Sequence, residues 1–220
     1  MSNSILILGE SGTGKSTSVR TLPPEETFVL NVIDKPLPFK GSRSKYKKYN
    51  PETDEGNYHS TDNPDKIISI CKFVSEKLPH IKYLVIDDFG YTITNSFMRS
   101  ALIKGYDKFS ELGLSTFRVL EAIQHLRDDL FIFVMMHTEA DIHGKYKAKT
   151  IGKMIDQYVV IEGKFTFVFH ALTNDNQYYF LTNNDGQHMA KTPMGMFTEL
   201  KIDNDLNLIA NKINEYYEDE

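Results

Sequence analysis

The sequence predicts an α/β fold: a mainly parallel central sheet flanked by helices, followed by a C-terminal β meander. Three observations carry that expectation. Ile5–Leu8, Thr27–Ile33, Ile81–Ile86 and Leu130–Met136 are short runs dominated by branched and aromatic residues, the pattern of strands buried on both faces. Stretches with apolar residues at helical spacing separate them, which is the alternation that builds a parallel sheet. The first run also passes without a gap into a glycine-rich loop. With 220 residues, 40% of them hydrophobic, the chain is long enough for one well-buried domain and too short for two large ones, so a single domain over 1–220 is expected.

Taken in order, the first strand leads through the loop into a helical stretch, Ser16 to Arg20, and Pro23-Pro24 breaks the chain. Thr27–Ile33 reads as a second strand ending at Asp34. Residues 36–63 are polar, basic and turn-rich, a long connection of the kind that is mobile or functional. Asn63-Pro64 is an N-cap followed by proline at the first helical position. It opens a helix with Ile67, Ile70, Phe73, Val74 and Leu78 on its apolar face, ended by Pro79.

The strand Ile81–Ile86 terminates in Asp87-Asp88, and helical regions from Tyr91 to Tyr106 and from Ser115 to Leu126 precede the strand Leu130–Met136. Residues 140–155 form the next loop. The meander covers 157–182 in three segments, Gln157–Glu162, Lys164–Leu172 and Gln177–Thr182, turning at Gly163 and at Asn174-Asp175-Asn176. Leu206, Ile209, Ile213 and Tyr216 mark an amphipathic helix over 203–217.

Composition removes several classes. One cysteine, Cys71, excludes a disulfide framework and zinc-ligand spacing and fits a reducing, cytoplasmic setting. No apolar stretch approaches the ~18–20 residues of a membrane span, and the first strand stands where a signal peptide would, so neither a membrane nor a secreted protein is expected. The net charge is −5, yet cations cluster in Lys40, Arg43, Lys45, Lys47 and Lys48, and again in Lys145, Lys147, Lys149 and Lys153, while Glu215, Glu218, Asp219 and Glu220 make the C-terminus acidic.

Gly9-Glu10-Ser11-Gly12-Thr13-Gly14-Lys15-Ser16-Thr17 satisfies the pattern G-x-x-x-x-G-K-[ST], which arises by chance in roughly one chain in a hundred of this length. Glycines let successive backbone N–H groups turn inward on a polyphosphate, and the next helix adds its positive end. Lys15 would reach the β- and γ-phosphates, Ser16 would ligate Mg²⁺, and Thr17 would lie beside the α-phosphate of ATP. Asp87 is the carboxylate expected to hold the Mg²⁺ through water, and Asp88 the group that orients or deprotonates the attacking water, with Asp34 as its rival. His137, Thr138 and Glu139 follow the fourth strand, where they could sense the γ-phosphate. Lysine and arginine in the two basic clusters suit phosphates of single-stranded DNA, with Tyr46, Tyr49 and Tyr146 as flat faces for bases.

These motifs resemble the RecA-like ATPase core, and more closely the phage nucleotide-binding P-loop proteins, among them the RecA-like single-strand annealing proteins of phage recombination. The resemblance rests on Gly9–Thr17, Asp34–Gly41, Leu84–Asp88, Met136–Glu139 and Ala190-Lys191, and spans nearly the whole chain. It implies a DNA-stimulated ATPase in the host cytoplasm that self-associates as a ring or filament and works with a single-stranded-DNA-binding or other recombination or replication protein. It also implies that the loop after the fourth strand contacts DNA. Lys191 would approach a neighbour's nucleotide, but where the family places K-x-R this chain has Lys191-Thr192-Pro193, without the arginine, and Asp34 stands where glutamate is common. The alternatives are an AAA-type helicase loader, which would carry a helical lid, a nucleoside or nucleotide kinase, which would need an arginine-rich lid, and a non-catalytic nucleotide switch.

Overall fold

The computed structural model describes residues 2–105, 107–151 and 159–218. Among these residues, nine strands form one mixed, mostly parallel sheet: β1 (Asn3–Gly9), β2 (Thr27–Asn31), β3 (Tyr58–Ser60), β4 (Tyr83–Asp87), β5 (Phe131–Ala140), β6 (Tyr146–Ala148), β7 (Phe167–Asn174), β8 (Gln177–Leu181) and β9 (Lys201–Asp203). Their spatial order is β3-β2-β4-β5-β1-β7-β8-β9, with β6 paired to the far end of β5. The helices are α1 (Ser42–Lys45), α2 (Pro64–Lys77), α3 (Gly90–Arg99), α4 (Asp107–Gln124) and α5 (Leu206–Glu218).

Strand alternation divides the interior into two cores. Leu6 and Leu8 of β1, Leu84 and Ile86 of β4, and Ile132 and Val134 of β5 face α2, α3 and α4. The intervening residues, Ile5, Ile7, Val85, Phe133 and Met135, face α5 and the turn that carries Val19 and Leu22. A central strand thus contributes to both sides, which is why its sequence is continuously apolar. Each such side chain, fully buried, stabilises the fold by about 1.5–3 kcal/mol before conformational entropy is charged against it.

Helix α2 follows its expected plan: the Asn63 side chain accepts from Lys66 N–H, Pro64 opens the first turn, and Ile67, Cys71 and Val74 enter the core. Its C-terminal end is capped from another element. Arg127, in the turn after α4, donates from Nη1 to the carbonyls of Val74, Ser75 and Leu78 at 3.0–3.2 Å and from Nη2 to that of Ile81. A cation at the negative end of a helix that also satisfies its orphan carbonyls ties α2 to the start of β5.

Several expectations need correction. The helical stretch after the glycine loop is a 3₁₀ helix, Ser16–Thr21, one residue longer than expected and followed by the Pro23-Pro24 break. The second strand stops at Asn31 instead of Ile33: Asn31 Oδ1 accepts from the N–H groups of Ile33 and Lys35 and turns the chain. The connection 36–63 holds α1 and β3, so it is only partly loop. Helix α3 ends at Arg99 and α4 begins at Asp107, ahead of the expected Ser115. In the meander, Ile161–Lys164 is a 3₁₀ turn, β7 and β8 form an antiparallel hairpin, and the third strand is the later β9.

The helix expected from Asp203 begins at Leu206, and β5 continues to Ala140, where Thr138–Ala140 pairs antiparallel with β6. Tyr106, Lys153, Gln157, Tyr158, Asp219 and Glu220 lie outside the described residues. Among the described residues no helix is long and apolar enough to cross a membrane.

Truncating the cap tests its energetic role. Arg127→Ala should lower the free energy of unfolding in urea by about 2 kcal/mol, because carbonyls that accepted from a charged donor lose it. Arg127→Lys should recover only part, since one ammonium cannot reproduce the planar fork. A variant as stable as the parent protein would remove the cap from the account of α2.

Candidate functional site

The loop Gly9–Thr17 leaves the C-terminal end of β1 and meets the C-terminal ends of β4 and β5. Two glycines are required by the space around them. A Cβ at Gly9 would lie 2.6 Å from Thr13 Oγ1 and 2.7 Å from the Ala171 carbonyl oxygen. Gly14 combines φ = 91° with the Tyr178 ring, which would stand 2.8 Å from an added Cβ. Lys15 is buried, and its Nζ donates to the carbonyls of Gly9 (2.7 Å) and Glu10 (2.6 Å), inside the curl of the loop. Burial holds its pKa down at about 8, against the opposing pull of Asp88 and Asp87. Thr13 Oγ1 donates to the Glu10 carbonyl, and Glu10, Ser11 and Gly12 form the rim of the loop.

Ser16 Oγ donates to Asp87 Oδ1 at 2.7 Å, joining the loop to the end of β4 across 71 residues of sequence. Asn31 Nδ2, from the end of β2, donates to Asp87 Oδ2 at 3.2 Å. Asp87 is fully buried, and burial followed by the neighbouring Asp88 charge raises its pKa. Asp88, in a left-handed conformation with φ = 60°, swings its carboxylate toward two other partners. His137 Nε2 lies 3.2 Å from Oδ1 and Lys35 Nζ 2.5 Å from Oδ2. Burial acts against the charged form of Asp88, but the interactions with His137 and Lys35 prevail and lower its pKa. Adjacent carboxylates therefore sit in unlike surroundings, Asp87 hydrogen-bonded by a hydroxyl and an amide, Asp88 set between an imidazole and an ammonium.

The remaining predicted residues divide. Asp34 does not join the pair: its carboxylate accepts from Tyr58 Oη at 3.3 Å and lies 3.6 Å from Lys48 Nζ. Glu139 faces Lys147 across the β5–β6 hairpin, with 3.7 Å between Oε1 and Nζ. Thr17 is half-buried and its carbonyl accepts from Arg20 Nη1. Lys191 pairs through its main chain with Val168 of β7. Ser16 and Asp87 supply a hydroxyl and a carboxylate oxygen side by side, the oxygen donors that suit Mg²⁺. No cluster of three or more His, Cys, Asp or Glu suited to a metal ion occurs among the described residues.

Both basic clusters are on the surface, but their tyrosines are engaged within the fold. Tyr46 is buried with its ring edge-on to Phe39, and Tyr49 packs between Phe28 and Phe73. Tyr146 stacks on His188 at 5.1 Å and 9°, with His170 edge-on to both rings. Tyr46 is thus closed to a base, while Tyr49 and Tyr146 are half-buried with ring contacts inside the fold. The exposed chemistry is that of Lys40, Arg43, Lys45, Lys47 and Lys48 around α1, and of Lys145 and Lys149 flanking β6, with Lys147 half-buried.

Lys35 and Asn31 are site residues that sequence reasoning missed. A lone lysine beside an acidic candidate carries no periodic signal. The usable clue was Asn31, a polar residue closing an apolar strand and followed by a turn. No protein-family model matches the chain, and no curated protein is significantly similar to it.

His170, on β7 beside Leu8 of β1, is fully buried, and neither ring nitrogen reaches a hydrogen-bond partner among the described residues. Burial, then the charge on His188, lowers its pKa to about 4, against lesser pulls from the Met189 main chain and Asp185. The unfolded chain therefore takes up this proton at higher pH than the folded one. The stability that neutral His170 contributes is complete above about pH 6.5 and is lost as pH falls toward 4, by about 3 kcal/mol at most. His170→Phe should flatten the pH dependence of Tm across that window. An unchanged slope would assign the acid sensitivity to other groups.

Proposed function

We propose that the chain is a Mg²⁺-dependent ATPase with a RecA-like P-loop core, acting on single-stranded DNA in phage recombination, annealing or replication. One observation carries the nucleotide-binding half of this reading: the glycine loop and the Asp87 strand end, separated in sequence, meet through the 2.7 Å Ser16–Asp87 hydrogen bond, with Lys15 buried beside them. The RecA-like half is supported by β5 lying between β1 and β4, so that His137 is carried to the carboxylate pair. The DNA half rests on the β5–β6 hairpin. The strand that presents His137 runs on without a break into the segment paired with Lys147.

In this reading Lys15 leaves the two loop carbonyls for the β- and γ-phosphate oxygens, and the loop N–H groups hold the chain of phosphates. Ser16 and Asp87 would hold Mg²⁺, which when bound would neutralise charge on the phosphate oxygens. Asp88, kept ionised by His137, accepts a hydrogen bond from the attacking water. The water oxygen bonds to the γ-phosphorus and gives its proton to Asp88 as the bond from the γ-phosphorus to the bridging oxygen breaks; ADP leaves with that oxygen, phosphate follows, and Asp88 returns the proton to solvent. Because the loop is followed by a 3₁₀ turn, the phosphates depend more on the loop N–H groups and Lys15 than on a helix end.

Steady-state hydrolysis of ATP, with and without single-stranded DNA, tests the proposal. DNA should raise the rate, and Lys15→Ala should abolish both nucleotide binding and turnover. Binding to DNA should weaken with salt, and the log–log slope should flatten by about 0.7 for each phosphate that Lys145→Gln or Lys149→Gln leaves without its cation. Normal turnover in Lys15→Ala would refute the loop assignment. A basal rate indifferent to DNA would favour the loader or kinase alternatives, and a salt-insensitive complex would dismiss the hairpin as a DNA-backbone ligand.

A further inference from the structure

Lys35 occupies a built position. Asn31 is fully buried, and both ends of its side-chain amide are engaged at the end of β2: Oδ1 accepts from Ile33 N–H (3.1 Å) and Lys35 N–H (3.4 Å), while Nδ2 donates to the Lys35 carbonyl (3.3 Å) and to Asp87 Oδ2 (3.2 Å). One amide thus fixes the main chain of Lys35 relative to Asp87. The turn also requires Asp34 at φ = 52°, a left-handed conformation, which sends its carboxylate to Tyr58 and Lys48 and the next side chain to Asp88. The Lys35 side chain is 44% exposed, so its anchored root bears a tip free to change partners.

We propose that Lys35 reads the γ-phosphate of the bound nucleotide, an inference that rests on the nucleotide-binding reading above. Two cations, Lys15 and Lys35, flank the same carboxylate pair, and each lies within electrostatic reach of the other. A triphosphate held by Lys15 brings its terminal group, with its concentrated negative charge, to the side where Lys35 stands. Lys35 Nζ exchanges Asp88 Oδ2 for a γ-phosphate oxygen, and His137 retains Oδ1. The exchange releases Oδ2 to accept from the attacking water. A diphosphate lacks the group that draws Lys35 away, so Asp88 stays doubly occupied. The same movement therefore distinguishes ATP from ADP and arms the carboxylate.

The experiment compares Lys35→Met, which keeps the apolar stem and removes the charge, with Lys35→Arg and the parent protein. Dissociation constants for ADP and for an ATP analogue with a non-hydrolysable β–γ bridge are measured by calorimetry, with the ATP turnover rate alongside. The parent protein should prefer the triphosphate by about tenfold or more. Lys35→Met should lose about tenfold in triphosphate affinity and under twofold in diphosphate affinity, with turnover at saturating ATP down at least tenfold. Lys35→Arg should keep most of the preference.

Equal losses for both nucleotides, or no loss, in a folded Lys35→Met protein would overturn the assignment while leaving the ATPase reading intact. A parent protein that binds the triphosphate preferentially but does not hydrolyse it would remove the ATPase reading, and the same affinity ratio would still decide the role of Lys35. A parent protein that binds neither nucleotide would overturn both.

Discussion

Asp87 and Asp88 are adjacent carboxylates, both almost wholly withdrawn from water at the end of a central strand. Charges in that position are costly unless paired, and removing one partner from such a group is more damaging than never having built it. The surrounding structure answers this requirement from four elements. The loop after β1 brings Ser16 and Lys15, the end of β2 brings Asn31, the turn after β2 brings Lys35, and β5 brings His137. The left-handed backbone at Asp88 separates the two carboxylates so that each has its own set of partners. Much of the irregular geometry in this half of the molecule lies where that pair meets its partners, with left-handed backbone at both Asp34 and Asp88.

The sheet order makes this convergence possible. All the contributing strands run parallel, so their C-terminal ends share one edge of the molecule, and β5 stands between β1 and β4. The two cores above and below the sheet are dense with branched and aromatic side chains, and they hold those strand ends in fixed register. Beyond His137, the last residue of β5 in register with β1, the strand leaves the main sheet and pairs only with β6. The cationic hairpin is thus an outgrowth of a core strand rather than a separate loop, and the stacked Tyr146 and His188 rings fasten it against His170 of β7.

The four central strands, the capped helix α2 and the glycine loop were legible because each has a strong local signature: a continuous apolar run, an Asn-Pro start or a fixed glycine spacing. What was not legible depends on distant partners. Strand β6 has three residues, Tyr146, Lys147 and Ala148, too short for a periodic signal, and exists because β5 is there to pair with it. The late start of α5 reflects packing between residues far apart, seen in the Asn204 bridge from Arg20 to the Gly14 carbonyl. Tyr46, Tyr49 and Tyr146 looked like free rings because spacing does not reveal the rings they pack against. Lys35 escaped notice because its meaning comes from Asn31, four residues earlier, whose amide is satisfied only in the folded chain.

The single cysteine has a practical consequence. Cys71 is wholly enclosed in α2 against the sheet, and burial pushes its thiol up to about 12, so almost none of the reactive thiolate is present at neutral pH. In the folded protein an alkylating reagent finds no competent sulfur, and the rate of labelling becomes a clock for opening of the α2 layer. The native surface is chemically silent toward thiol reagents. A cysteine placed on the exposed hairpin would therefore take up a fluorophore alone, and its emission would follow the hairpin without any need to delete the native residue.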